Sequence, residues 1–146
     1  MNRDGRLARM AHVLIHMALL EGRETSETIA RMLNTNAVVV RRTMAALKRH
    51  GIVSSDGGRG GGWTLLKGLD DLTLLDVHRA LGGGQALQPK VALEHPNCPV
   101  ERATQSALDR AFQSAAVRLL EELGRVKLSD IARTAVGGAY ERKRSR

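Results

Sequence analysis

The chain of 146 residues is short of several things, and each shortage removes a class of answers. It has one cysteine, Cys98, so no internal disulfide framework holds it together. Aromatic residues make up 2% of it (Trp63, Phe112 and Tyr140), which leaves the core to aliphatic side chains and alanine. Small cores of that kind are often completed by a second subunit. No apolar run approaches the roughly 20 residues that span a bilayer, and the N-terminus lacks a charged-then-apolar leader, so a cytoplasmic location is expected. No nucleophile, base and acid set, phosphate loop or metal motif appears. We therefore expect no enzyme, no catalytic residues, no metal and no cofactor.

Acid is missing from one stretch in particular. Between Arg31 and Lys67 stand Arg31, Arg41, Arg42, Lys48, Arg49, Arg59 and Lys67, against Asp56 alone; seven less one is a net +6, out of a formal +8 for the whole chain. Basicity this concentrated suits a polyanionic partner whose binding weakens steeply with salt.

The same stretch carries a helical pattern. Ser26 reads as an N-cap with Glu27 in the first turn, and Ile29, Met32 and Leu33 follow at helical spacing. Asn34 and Thr35 interrupt, because both bond locally to backbone. A second helix runs from about Asn36 to His50, where Gly51 stops it. At about 100° per residue, Val40, Thr43, Met44 and Leu47 share its inner side, joined by Ile52. Val38, Arg42, Ala45 and Arg49 share the outer side, with Arg41 and Lys48 on its flank. Any solvated helix carries arginines, but this outer surface shows no acid to balance them. It suits a major groove: Ala45 leaves room, Val38 meets a thymine methyl, and Arg42 reaches guanine O6 and N7. The expected DNA face is Ser26, Thr35, Asn36, Val38, Arg41, Arg42, Ala45, Arg49, Arg59 and Gly60.

Beyond Gly51, the apolar pair Ile52-Val53 and the run Trp63-Thr64-Leu65 flank SSDGGRGGG, which predicts a β-hairpin. Its glycines (Gly57, Gly58, Gly60, Gly61 and Gly62) permit close approach to a phosphate chain, and Arg59 at the tip is placed for a minor groove. A dinucleotide-binding loop is rejected, since these glycines do not open a helix after a strand. Helix, turn, helix and hairpin together make a winged helix-turn-helix.

The segment from Ser26 to Leu81 resembles the Rrf-two (Rrf2) family of bacterial transcriptional regulators. The resemblance rests on Ile29-Ala30, on Leu47 with Gly51-Ile52-Val53 and Ser55, on Arg59-Gly60-x-Gly62 before an aromatic and Leu65, and on Leu72-Thr73-Leu74-x-Asp76-Val77. It implies a homodimeric regulator on a palindromic double-stranded operator. The wing aromatic of the family is commonly tyrosine, where this chain has Trp63. Cluster-bearing members ligate iron–sulfur through three cysteines in the loop and helix start near Cys98. Here Ala92 and Thr104 stand six residues to either side, so no cluster is expected.

Around this centre the pattern is mainly α with a small β-hairpin wing: a DNA-binding domain over 1–81, a sensing or linker loop over 82–99, a dimerisation helix and short C-terminal helix over 100–136, and a basic tail over 137–146. The first helix, from Arg6 to Glu21, sets Leu7, Met10, Ala11, Leu14, Met17 and Ala18 on one face, with Gly22 closing it. His12 and His16 lie one turn apart without an evident third ligand and read as surface or subunit-contact histidines, metal binding being the lesser option. A helix over Asp70 to Leu81 packs Leu74, Val77 and Leu81 onto the winged core, and Gly82-Gly83-Gly84 ends it. From Gln85 to Pro99 regularity is lost, and Pro89, Pro96 and Pro99, the only prolines, fall there. Val100 to Val126 is the longest helix. Phe112, Ala116, Leu119, Leu123 and Val126 follow heptad spacing along it, with Leu108 one turn earlier, either for its own domain or, as the resemblance implies, for a second copy. Leu128 to Val136 is a last short helix capped by Ser129. The tail after Ala139 carries Arg142, Lys143, Arg144 and Arg146 against Glu141 and suits non-specific DNA affinity.

Cys98 sits at the expected N-cap of the long helix, before Pro99, where unpaired amides favour a thiolate. Redox or electrophile sensing is one reading. Glu101 and the usual inertness of a lone cytosolic cysteine favour the other, in which a small-molecule effector of unknown identity is the signal. A winged helix turned to RNA or protein binding would be expected to lose the cations of its recognition face, and this one keeps them.

Overall fold

The computed structural model describes residues 3–83 and 93–138. The loop between them, with Pro89 and Ala92, and the basic tail from 139 lie outside the described residues. In chain order the elements are α1 (Arg3–Leu20), α2 (Ser26–Met32), α3 (Ala37–Arg49), β1 (Val53–Ser55), β2 (Trp63–Leu65), a 3-10 turn (Leu69–Asp71), α4 (Leu74–Ala80), α5 (Pro99–Arg125) and α6 (Leu128–Val136). The architecture is mainly helical, with one antiparallel hairpin.

One aliphatic core joins α1, α2, α3, the hairpin, α4 and α6. Leu14, Ile29, Met44, Leu47, Ile52, Leu72, Val77 and Leu128 are fully enclosed in it. Helix α1 is covered on more sides than one amphipathic stripe requires, because α4, α6 and β2 all pack on it, and Val13 and Ile15 are buried beside the expected Met10, Ala11, Leu14 and Met17. Its end differs from expectation too. Glu21, and not Gly22, takes the left-handed conformation, with φ of 50°.

Thr25, one residue earlier than the expected Ser26, caps α2: its hydroxyl accepts the Thr28 N–H at 3.1 Å. Asn34 makes the turn with φ of 50°, and the Thr35 N–H returns to the Ala30 carbonyl at 2.9 Å. Asn36 then caps α3 by accepting the Val39 N–H at 3.0 Å, while Gly51, with φ of 65°, ends it as expected. The inner set Val40, Thr43, Met44 and Leu47 is buried against α2.

In the hairpin, Val53 pairs with Leu65, Ser54 with Thr64 and Ser55 with Trp63. Trp63 has a second partner on its other side. The Glu24 N–H donates to its carbonyl at 3.1 Å and its N–H donates to Glu24 at 2.8 Å, which fastens the wing to the segment entering α2.

The helix expected over 70–81 is divided. Leu69–Asp71 forms the 3-10 turn, Leu72 is extended, and α4 begins only after Thr73, whose hydroxyl accepts the Asp76 N–H while the Asp76 carboxylate accepts from Thr73. This capping box is a stronger local start than Asp70 offers. The break also exposes backbone for the chain's end to use: Leu74 N–H donates to Val126 and Leu128 N–H to Leu72, both at 2.9 Å. That bridge seats α6, whose Leu128 and Ala132 enter the same core as α1, so the last short helix belongs to the winged unit's packing and only α5 stands outside it. Ser129 does not cap α6. It is the second residue of the helix, fully buried, and the Asp130 carboxylate caps instead by accepting the Lys127 N–H at 3.2 Å.

Candidate nucleic-acid interface

Helix α3 presents its outer strip to solvent. Val38 is 63% exposed, Arg42 and Arg49 are exposed, and Ala45 lies half-buried between them. Among the described residues neither Arg42 nor Arg49 makes an ion pair or hydrogen bond. Two uncommitted guanidiniums around a methyl-sized step are what base-edge and phosphate contacts require. Asn36 stands exposed at the head of this strip. Its side-chain oxygen serves the cap, which leaves its NH₂ as the group that faces outward bonding.

The flanks of the strip are occupied differently. Arg41 Nη2 lies 2.6 Å from Glu27 Oε1 on the first turn of α2, so the surface does contain an acid that balances a cation, contrary to expectation. Glu27 falls just outside the acid-poor stretch and fourteen residues from Arg41; no helical period links the two. On the same flank Lys48 Nζ donates to Ser55 Oγ of β1 at 2.7 Å, tying α3 to the wing. On the opposite flank Thr35 lines a shallow cleft with Val39, Leu33 and Met10, and with Arg6 and Arg9 of α1. Those two arginines were not legible as part of the face, because they come from another helix.

At the wing tip the Gly61 N–H returns to the Gly58 carbonyl at 3.1 Å, closing a four-residue turn with Arg59 and Gly60 at its centre. Gly60 has φ of 75°, the conformation a type II turn reserves for glycine at its third position. Arg59 is thereby held exposed at the apex. Two of the other wing glycines are required by the fold itself: a Cβ on Gly61 would collide with the Asp56 carbonyl, and one on Gly62 with the Arg23 side chain, whereas Gly57 and Gly58 face open space. Arg23 in turn pairs with Asp56 at 2.5 Å, bracing the base of the hairpin.

Ser26 does not join this surface. It is buried, and its hydroxyl accepts the Trp63 indole N–H at 2.9 Å, so its position on the expected face is corrected to an internal link between α2 and β2. The remaining expected positions, Thr35, Asn36, Val38, Arg41, Arg42, Ala45 and Arg49, are gathered on α3 and the turn before it, with Arg59 and Gly60 on the wing.

Helix α5 buries none of its residues. Of the heptad series, Leu108 and Leu119 are exposed, while Phe112, Ala116, Leu123 and Val126 are half-buried. Its C-terminal end rests on α4, where Leu75 meets Gly124. At its other end Cys98 is the half-buried N-cap residue and makes no side-chain cap bond. Glu101 folds the approach to the helix by accepting the Glu94 and His95 N–H groups, both at 2.7 Å. On α1 the His12 and His16 rings meet edge to face at 4.6 Å.

Among the described residues no helix is long and apolar enough to cross a membrane. The sequence model of the Rrf2 family, described as iron-dependent transcriptional regulators, matches residues 4–134. The chain is 37% identical over 128 residues to a Bacillus subtilis (strain 168) protein named as an HTH-type transcriptional regulator, YwnA, a match covering 88% of this chain and 95% of that one. A crystal structure of a protein described as DNA-binding has 36% identity and a TM-score of 0.64 and covers 86% of this chain and 97% of its own. A transcriptional regulator from Lactobacillus plantarum, at 17% identity, shares the fold with a TM-score of 0.76 over 96% of both chains.

The description implies iron, and the donor set here does not fit it. Cys98 is the only thiol, the Glu101 carboxylate is held by two backbone amides, and the Thr104 hydroxyl donates to the Val100 carbonyl. No three His, Cys, Asp or Glu side chains gather among the described residues. The relatives are named as regulators of transcription and not as enzymes, and with the match running from α1 through the wing and into α6, the chain belongs to the Rrf2 family of transcriptional regulators.

Proposed function

We propose that this Rrf2 member binds a palindromic double-stranded operator as a homodimer, with α3 in the major groove and Arg59 in the flanking minor groove. The observation that carries the reading is the outer strip of α3, where exposed Val38 lies beside two arginines uncommitted among the described residues. Arg42 reads guanine through its paired N–H groups, Val38 meets a thymine methyl, and Arg49 adds phosphate contact. The uncovered apolar series of α5 supplies the subunit contact, and two-fold symmetry sets the half-sites about one helical turn apart.

The signal is read at Cys98. Peroxide oxidises its thiol to a sulfenic acid with release of water, at the point where the loop meets the dimer helix. Fluorescence anisotropy on DNA from the protein's own upstream region, with random DNA as competitor, tests both parts. Specific binding that disappears on oxidation and returns with reductant supports the full reading. Binding indifferent to oxidant, or an unchanged response in Cys98→Ser, removes the thiol and leaves a small-molecule effector as the signal; no preference over random DNA on that fragment or after genome-wide site selection removes the DNA reading.

A further inference from the structure

The cations of the recognition surface fall into two groups. Arg42 and Arg49, on the central strip, are uncommitted among the described residues, whereas Arg41 on the flank is already held by Glu27 at 2.6 Å. Both members of that pair are exposed, at 56% and 59%, so solvent screening leaves it little to contribute to folding. An acid beside a DNA-binding strip also repels phosphate. A contact that adds little stability and opposes binding needs another account.

We propose that Glu27 is a specificity-determining positioning residue that acts through Arg41, an inference that rests on the DNA-binding reading above. Random duplex is held by counting phosphates, each neutralised cation releasing a counterion. While Glu27 keeps Arg41 neutralised, one cation is withheld from that count. On the operator, where base contacts from the central strip fix the register, the tethered guanidinium has its remaining N–H donors set in one direction and meets a phosphate oxygen without losing rotamer freedom on binding. Glu27 therefore lowers affinity for random DNA more than for the operator.

The test compares wild type, Glu27→Gln, Arg41→Ala and the double variant on the operator and on a random duplex of the same length, by anisotropy over a range of KCl concentrations. Glu27→Gln should tighten random binding roughly two- to fivefold, the equivalent of an exposed pair, and steepen its salt slope by about one. Operator binding should change less, so the specificity ratio falls. In the Arg41→Ala background the same substitution should leave the salt slope unchanged, and the thermal midpoint should stay near wild type throughout. Equal tightening on both duplexes would overturn the proposal, because simple removal of a charge does that. So would weaker operator binding with altered base preference, which would make Glu27 itself a base reader. A wild-type protein with no preference for any duplex overturns the DNA-binding reading as a whole, a result distinct from a failed ratio in a protein that does discriminate.

Discussion

The indole N–H of Trp63 donates to the hydroxyl of Ser26 at 2.9 Å, across 37 residues of sequence, and both side chains are buried. This bond and the Glu24 bridge hold the wing at a fixed angle to α2, and hence to α3, which packs on α2. Trp63→Phe keeps most of the ring's packing but leaves the Ser26 hydroxyl without its donor. Ser26→Ala strands the indole N–H instead. Each should cost about 1–3 kcal/mol, and the double variant less than the sum, because removing both partners leaves no unpaired group. Urea denaturation followed by circular dichroism measures all of these. Additive losses would show that the bond contributes nothing of its own.

The apolar series on α5 makes a separate prediction. Leu119 is 36% exposed and no residue of the helix is buried, so a charge placed there disturbs no core. Leu119→Glu should leave helicity and thermal midpoint near wild type while shifting the protein toward monomer in sedimentation equilibrium. Operator affinity should fall with it, since one half-site then carries the whole contact. A stable monomeric wild type would sink this prediction and the dimer reading with it.

The parts of the fold that could be read in advance are those whose cause is local. The inner and outer sides of α3 follow from one 3.6-residue period, and Gly51 from the left-handed end of that helix. What escaped notice was decided by distant packing. Ser26 looks like a cap by type, yet Thr25 takes that role because Trp63 claims the Ser26 hydroxyl. Gly62 looks like clearance for a phosphate, yet Arg23 already occupies its Cβ position. Glu27 meets Arg41 only because the turn at Asn34 folds α2 against α3. In the proposed DNA face, the residue types of the strip can be read from the sequence and their commitments cannot.

Asp76 predicts an acid-side dependence of stability. Burial pushes its carboxyl up, but the hydroxyl and backbone N–H of Thr73, with Lys67 and Arg79 nearby, outweigh this and hold it below the usual carboxylate value. A group lowered in the folded state contributes stability above its unfolded pKa, near 4, and loses it as pH falls through the folded value. Asp76→Asn should cost about 0.5–2 kcal/mol at neutral pH, the range for a lost cap, and the gap should close as pH drops below about 4. Denaturation midpoints between neutral pH and strong acid check this. A gap that persists unchanged in acid would mean that packing, and not the carboxylate, is what the substitution disturbs.

Ser129 carries the last prediction. Its side chain is fully buried where α6 meets α1 and the 3-10 turn, and its hydroxyl has no hydrogen-bond partner among the described residues. An unpaired buried hydroxyl costs roughly 1–3 kcal/mol in desolvation, whereas alanine at the same site keeps the methylene, loses little volume and favours the helix. Ser129→Ala should therefore stabilise the protein by up to about 1 kcal/mol, allowing for the packing lost with the oxygen. Operator affinity should not move, since α6 lies on the core side, away from the outer strip of α3. A loss of more than about 1 kcal/mol in urea would mean instead that the hydroxyl bonds within the folded protein, because only a satisfied buried group is that costly to remove.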